Sequence, residues 1–216
     1  MAIEPLNYLT PCLGRTFYKR DTNEVAKSLL GKIFVRKLAL NGRIIRLAGY
    51  IIETEAYGYR DDPASHAFNG PRQRNSMMFG EVGFLYVYFL YGKHFCANVT
   101  ARKNDARAGA VLIRSILPLT GQDIMSKMRN HSSNLTIGPG RVTEAMSISL
   151  AHNGLDVTQE TSCISIHQGL DIDDIITSAR IGISKANDRP WRYIAARFVS
   201  CLKLQNSVNN LFKLHC

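Results

Sequence analysis

Apolar residues along this chain follow two periods, and where the period changes marks where its elements begin and end. Asp21-Thr22-Asn23-Glu24-Val25-Ala26-Lys27-Ser28-Leu29-Leu30-Gly31 is spaced for a short helix, with Asp21 as cap, Glu24 completing a capping box and Gly31 as the stop. Lys32 to Leu40 reads as a strand. Asn41-Gly42, two residues that tolerate positive φ, predicts a hairpin. Arg43 to Tyr57 then returns as a long strand, with Gly49 as a bulge. Gly58 to Arg74 is a polar loop holding Pro63, Gly70 and Pro71, longer than a connection requires. Phe84–Leu90 and His94–Thr100 form a second hairpin around Tyr91-Gly92-Lys93, and Gly109–Arg114 is an apolar strand ending on a charge. Gly121–Arg129 is helical, Asn130–Asn134 a polar loop, and Gly138-Pro139-Gly140-Arg141 a break before a helix from Val142 to Ser147. Ser162–Gln168, Arg180–Ile183 and Trp191–Val199 are late strands. No repeat or dividing linker interrupts this meander, which predicts a single α+β domain.

Composition narrows the class. The chain has 216 residues, 45% hydrophobic and 20% charged, so it can bury its own core without staples. Lys and Arg number 27 against 17 acids, a net charge of +10. A pI near 9.6 fits a nucleic-acid partner, although a merely basic surface explains the same number. The basic residues are spread along the chain rather than gathered in a tail. The five cysteines (Cys12, Cys96, Cys163, Cys201 and Cys216) include no CxxC pair, which argues against a disulfide framework or zinc and for a reducing compartment. Glu4 and Pro5 lie where a leader would be apolar, and no run reaches the ~18 residues of a membrane span, so an intracellular protein is expected.

Candidate chemistry centres on residues 51 to 98. Alternation places Glu53 and Glu55 on one face, with Thr54 opposite. A solvated edge strand would explain an isolated pair. Here Gly49-Tyr50-Ile51-Ile52 precedes it, a stretch suited to burial on both faces, and a buried carboxylate needs a partner, with Arg114 the candidate. Tyr86 and Tyr88 share a face, which for Tyr86 reads as an ordinary half-buried sheet surface. Tyr91 sits at a hairpin tip beside Gly92 and Lys93, where a large ring buries little and suits insertion between bases. A lone loop histidine such as His66 is ordinarily solvated. Carboxylates, excess positive charge and a wedge together point to an enzyme that extrudes a base and hydrolyses at its sugar carbon.

At these residues the chain resembles the alkyladenine (3-methyladenine, methylpurine) DNA glycosylases. The resemblance rests on Glu53-Thr54-Glu55-Ala56-Tyr57, Ser65-His66, Arg74-Asn75, Met78-Phe79, Leu85-Tyr86-Val87-Tyr88, Tyr91-Gly92, Phe95-Cys96 and Asn98. It continues through Val111-Leu112-Ile113-Arg114, Gly138-Pro139-Gly140-Arg141 and Ala179-Arg180-Ile181-Gly182, and it includes Ala26-Lys27-Ser28-Leu29-Leu30-Gly31. It covers residues 15 to 203. It implies a single compact domain over 1–203, with a curved, mostly antiparallel sheet, surrounding helices and a protruding β-hairpin. It also implies that Glu55 activates the attacking water and that Arg114 holds that water and the carboxylate. Tyr57, His66 and Tyr88 would sandwich the flipped base, Asn98 would exclude the 2-amino group of guanine, Tyr91 would fill the vacated stack and Arg141 would contact a phosphate. The implied reaction is monofunctional, without lysine nucleophile, cofactor or metal, on double-stranded DNA carrying 3-methyladenine, 7-methylguanine, hypoxanthine or ethenoadenine.

The chain departs from the family pattern at Lys93-His94 after the wedge, and in the 58–75 loop, where Gly58-Tyr59-Arg60 and Phe68-Asn69 bear on pocket shape. Residues 204–216 read as a tail without counterpart. The long basic extension of animal members is absent, which fits a bacterial-type monomer in the cytoplasm at the nucleoid, or the nucleus in a eukaryote. Two other readings remain at this stage: a non-catalytic binder of damaged DNA on the same scaffold, and a carbohydrate glycosidase read from the carboxylate pair alone.

Overall fold

Strand β2 (Arg43–Tyr57) is the spine around which the other elements are arranged. In a computed structural model, residues 10–90, 92, 94–200 and 202 are described. Tyr91, Lys93, Cys201 and the 204–216 tail lie outside them, as does the 203 boundary of the expected domain. β1 (Ile33–Leu40) and β2 form the hairpin predicted at Asn41-Gly42, with Leu40 opposite Arg43 and both turn residues at positive φ. β3 (Leu85–Leu90) and β4 (His94–Thr100) form the second hairpin. β5 (Ala110–Thr120) lies between β4 and β2. β6 (Ile164–His167) extends the sheet beyond β1, while β7 (Ile175–Ser178) pairs with β8 (Arg192–Ala195), which pairs with β2. All these pairings are antiparallel, and the sheet curls around one main apolar cluster, giving the expected α+β fold.

β2 serves two neighbours in turn along one edge. Its first half pairs with β1 through Tyr50, and its second half, Glu53 to Glu55, pairs with β8. β5 runs along the other edge. The second half of β2 is therefore central and buried, which is why carboxylates there need partners. Helix α1 (Arg15–Tyr18) precedes α2 (Thr22–Ser28), which buries Val25 and Ala26. Asp21 caps α2 by accepting from the Asn23 N–H, one position short of the Glu24 box that the sequence pattern predicts. α3 (Gln122–Met128) matches its expected span. α4 (Pro139–Ala145) starts three residues earlier than expected, because Pro139 opens the helix instead of breaking the chain.

Three expectations fail for local reasons. β5 runs on to Thr120 through Pro118, which faces Gly49 at a register shift. A missing N–H is tolerated at such an irregularity. Arg180–Ile183 is not a strand. Gly182 takes positive φ there, and Ile181 and Ile183 line a cavity. Trp191–Val199 shortens to β8 followed by a 3-10 turn at Ala196–Phe198.

The ladder is irregular beside Gly49 as expected, but the extra residue is Leu119 of β5, and the glycine itself is required by contact. A β-carbon there would lie 2.8 Å from the Leu117 carbonyl oxygen and 3.1 Å from Ile116 Cδ1. Gly49→Ala is expected to lower stability by about 1–3 kcal/mol in urea denaturation, since backbone must yield. An unchanged midpoint would mean that the strands separate freely at this point.

Candidate active site

Two irregularities in the β2–β5 ladder build the centre of the site. Ile51 pairs with Ile116, Glu53 with Ser115 and Thr54 with Ile113, so Ile52 and Arg114 are the extra residues of their strands. Bulges re-aim side chains, and Arg114 reaches both glutamates. Its Nε lies 3.3 Å from Glu53 Oε1 and its Nη1 lies 3.2 Å from Glu55 Oε1. Thr54 points the other way, its hydroxyl donating to the Ala26 carbonyl at 2.8 Å. The shared face read from alternation and the Arg114 partnership are both present.

Glu53 is the more heavily charged neighbour. Arg192 Nε donates to its Oε1 at 2.6 Å, and the Ser115 hydroxyl donates to its Oε2. Burial alone would raise its pKa, but Arg114, Ser115 and Arg192 outweigh that and hold the carboxyl below its ordinary value. Glu55 is fully buried, at 0% exposure. Its Oε1 also accepts the Ile181 N–H at 2.8 Å, and its Oε2 accepts the Tyr57 hydroxyl at 2.8 Å. Burial works against the charge on Arg114, yet the two glutamates raise its pKa above the ordinary value. Burial, reinforced by the Glu55 charge, likewise raises Tyr57 well above a free phenol.

In front of these groups opens a cavity of about 490 Å³ whose wall includes Tyr57, His66, Tyr86, Tyr88, Asn98 and Arg114. That volume lies within the usual range for small-ligand pockets. Tyr57 ends β2, and the guanidinium of Arg180 sits 4.6 Å from the centre of its ring. Arg180 is itself clamped by Asp62 at 2.6 and 2.7 Å, both side chains fully buried. His66 lies 4.6 Å from Tyr88, edge to face, and its Nδ1 is 2.9 Å from the Tyr86 hydroxyl. It is not the solvated loop histidine that its surroundings in sequence imply. Burial, with help from Arg74, lowers its pKa and favours the neutral ring. Buried Asn75 fixes the loop, donating to the His66 carbonyl at 2.7 Å and the Gly70 carbonyl at 3.1 Å. Asn98 is held across the β3–β4 pair by donating to the Tyr86 carbonyl at 3.0 Å.

Among the expected site residues, Glu55, Arg114, Tyr57, His66, Tyr88 and Asn98 thus converge. Arg141 is separate from the cavity wall. It lies in α4, where its Nη1 donates to the Ile137 carbonyl at 2.9 Å, while Pro139 of the same helix reaches the cavity. Tyr91 falls outside the described residues. Sequence reasoning missed Arg192, Ser115, the Asp62–Arg180 pair and the Ile181 amide, and it took Tyr86 for plain sheet surface although Tyr86 is buried and lines the cavity. Among the described residues no cluster of three or more His, Cys, Asp or Glu could hold a metal, and no helix is long and apolar enough to cross a membrane.

Because the Glu53 pKa is depressed on folding, its ionisation stabilises the fold above the unfolded value and that stabilisation is lost as pH falls through the folded one. Glu53→Gln is expected to cost about 3–5 kcal/mol at pH 7, since it leaves buried guanidinium charge uncompensated. It should also flatten the acid limb of the stability curve below about pH 4.5. Denaturant titrations across pH check both; parallel acid limbs would contradict the assignment.

Residues 16–198 match the pattern of the methylpurine-DNA glycosylase (MPG) family. Relatives bearing the name "Putative 3-methyladenine DNA glycosylase" include one from Rhodopseudomonas palustris (strain HaA2), 41% identical over 89% of this chain and 92% of its own. Another, from Nitrosospira multiformis, is 45% identical over 82% of this chain and 86% of its own. A third, from Carboxydothermus hydrogenoformans, is 43% identical over 84% and 93%. With a buried carboxylate–guanidinium centre behind an aromatic cavity, and that match across most of its length, the chain belongs to the methylpurine-DNA glycosylase family of DNA-repair enzymes.

Proposed function

We propose that the protein is a monofunctional glycosylase that flips 3-methyladenine, 7-methylguanine, hypoxanthine or ethenoadenine out of double-stranded DNA and hydrolyses its N-glycosidic bond. The product is an abasic site for base excision repair. The observation that carries this reading is the buried Glu55 carboxylate, tied to Arg114, directly behind the cavity's aromatic wall. The relatives' names support the substrate class.

Extruding a base costs a few kcal/mol, offset by its new contacts in the pocket. Tyr57 on one side and His66 with Tyr88 on the other would hold it. Ring faces attract cationic alkylated purines, and a neutral His66 adds no opposing charge. Asn98, fixed by its bond to Tyr86, would meet the 2-amino group of a normal guanine and exclude it. Glu55 would serve as the base for the water that attacks the sugar carbon, its charge also favouring an oxocarbenium-like transition state. Arg114 keeps that carboxylate in place. Arg141 would contact a backbone phosphate, as would Lys185, exposed at the cavity rim. Tyr91, outside the described residues, is assigned the wedge role on the family resemblance. The enzyme is taken to act as a monomer. It works inside the cell on chromosomal DNA, in the cytoplasm of a bacterium or the nucleus of a eukaryote.

The deciding experiment is release of free base from a duplex carrying one hypoxanthine or ethenoadenine. Strand breaks should appear only after alkali. Glu55→Gln is expected to keep lesion binding while excision falls by at least about 100-fold, the usual share of a general base. Turnover unchanged in that variant would sink the assignment, and retained binding without excision by the natural protein would make it a damage-binding module. Tyr91→Ser should weaken lesion binding in a gel-shift titration with little change in melting temperature. A large loss of stability would make Tyr91 a packing residue instead.

A further inference from the structure

We infer that Tyr57 is a catalytic proton relay as well as a wall of the base pocket: its hydroxyl takes a proton from the attacking water while passing its own to Glu55. The inference rests on the glycosylase reading above. It starts from Glu55 having no exposed surface, so that it does not form part of the cavity wall. Two of the groups that hold it do reach that wall through their side chains, Arg114 by an ion pair and Tyr57 by a hydrogen bond.

These two differ in what they can do with a proton. A guanidinium is permanently protonated and has no acceptor, so it can orient a water but cannot take its proton. The third partner, the Ile181 amide, is backbone and keeps its hydrogen. A phenol hydroxyl is both donor and acceptor. The Tyr57 hydroxyl already donates to Glu55 Oε2 at 2.8 Å, which leaves its oxygen lone pairs for a donor on the cavity side. The ring is fixed for that task. It ends β2 opposite Ala110 of β5, and the clamped Arg180 guanidinium covers it at 4.6 Å. A tyrosinate next to the Glu55 charge is strongly disfavoured, so the hydroxyl must receive one proton as it gives up the other.

The step balances. The water oxygen bonds to the anomeric carbon of the flipped nucleotide, and the carbon–nitrogen bond breaks with its electron pair leaving on the base. One water proton moves to the Tyr57 oxygen, and the original Tyr57 proton moves to Glu55 Oε2. Tyr57 ends as it began. Glu55 ends as a neutral acid and returns its proton to solvent once the products leave.

Tyr57→Phe keeps the ring and removes the relay. Single-turnover excision of hypoxanthine by the full chain is expected to fall by about 100-fold or more while lesion binding stays within about twofold. Excision within about threefold of the natural rate would overturn the relay and leave Tyr57 as a wall. A loss of carboxylate orientation could also slow the variant, so the natural protein is measured in mixtures of light and heavy water. Two protons in flight give a curved dependence of rate on deuterium fraction. A straight line means one proton and overturns the proposal, and that measurement decides the matter even if the Phe variant folds poorly. Glu55→Gln run in parallel separates the two failures. If it is inactive while Tyr57→Phe is active, only the relay falls. If it is active, the glycosylase reading falls too.

Discussion

The site depends on a row of alternating charges, the half-buried Arg192 followed by the buried Glu53, Arg114 and Glu55. Each charge would be costly alone in this environment, and each is offset by its neighbours in the row, with hydrogen bonds from Ser115, Tyr57 and the Ile181 amide added at the glutamates. Glu53 has no part in the cavity wall, yet its Oε1 receives both Arg114 and Arg192. It thereby fixes which direction the Arg114 guanidinium presents to Glu55. The row uses three strands, β2, β5 and β8, so the geometry around Glu55 is set by sheet pairing rather than by a loop. Such a row contributes little net stability, because desolvation consumes most of the attraction. What it contributes is a single permitted arrangement, in which removing any one member strands another buried charge.

Curvature of the sheet and the placement of these charges have one origin. A regular ladder would put Arg114 opposite a β2 residue, with its side chain set by strict alternation. The extra residues Ile52 and Arg114 break that alternation within two positions of each other. They bend the ladder where β1 leaves the edge of β2 and β8 replaces it. The same bend leaves room for the cavity between the end of β2, the β3–β4 hairpin and the loop carrying His66.

Legibility of this chain follows sequence distance. The two hairpins, α2, α3 and the shared face of Glu53 and Glu55 depend on alternation and turn chemistry within a few residues, and all could be read directly. Arg114 was readable as a partner because a charge closing an apolar strand must be answered. Arg192 was not, since nothing near residue 192 announces a carboxylate 139 positions away. The Asp62–Arg180 pair, 118 positions apart, was hidden in the same way, with Asp62 in a polar loop and Arg180 in an apolar run that resembled a strand. Ile181 and Ile183 alternate because they line a cavity, and Pro118 sits inside a strand because a bulge spares it the missing bond. In both cases the local rule was overridden by an irregularity that only the paired strand reveals.

The wall behind the proposed base position shows how far that non-local order extends. Arg189 lies 4.7 Å from the centre of Trp191, Arg180 lies 5.2 Å from the same indole, and Arg180 also covers Tyr57. Tyr57 is therefore the last member of a stack that alternates guanidinium and aromatic groups. A cation on the rear face of a ring would, alone, draw electron density away from the face left for a substrate and weaken its hold on a cationic purine. Asp62 answers that charge with a bidentate pair at 2.6 and 2.7 Å, so the ring faces the cavity backed by a neutral assembly. Neutrality and rigidity come from the same contacts. In the proposed reaction, a wall held in this way would stack on a charged alkylated base and on an uncharged deaminated one without rearranging, its hydroxyl aimed at Glu55.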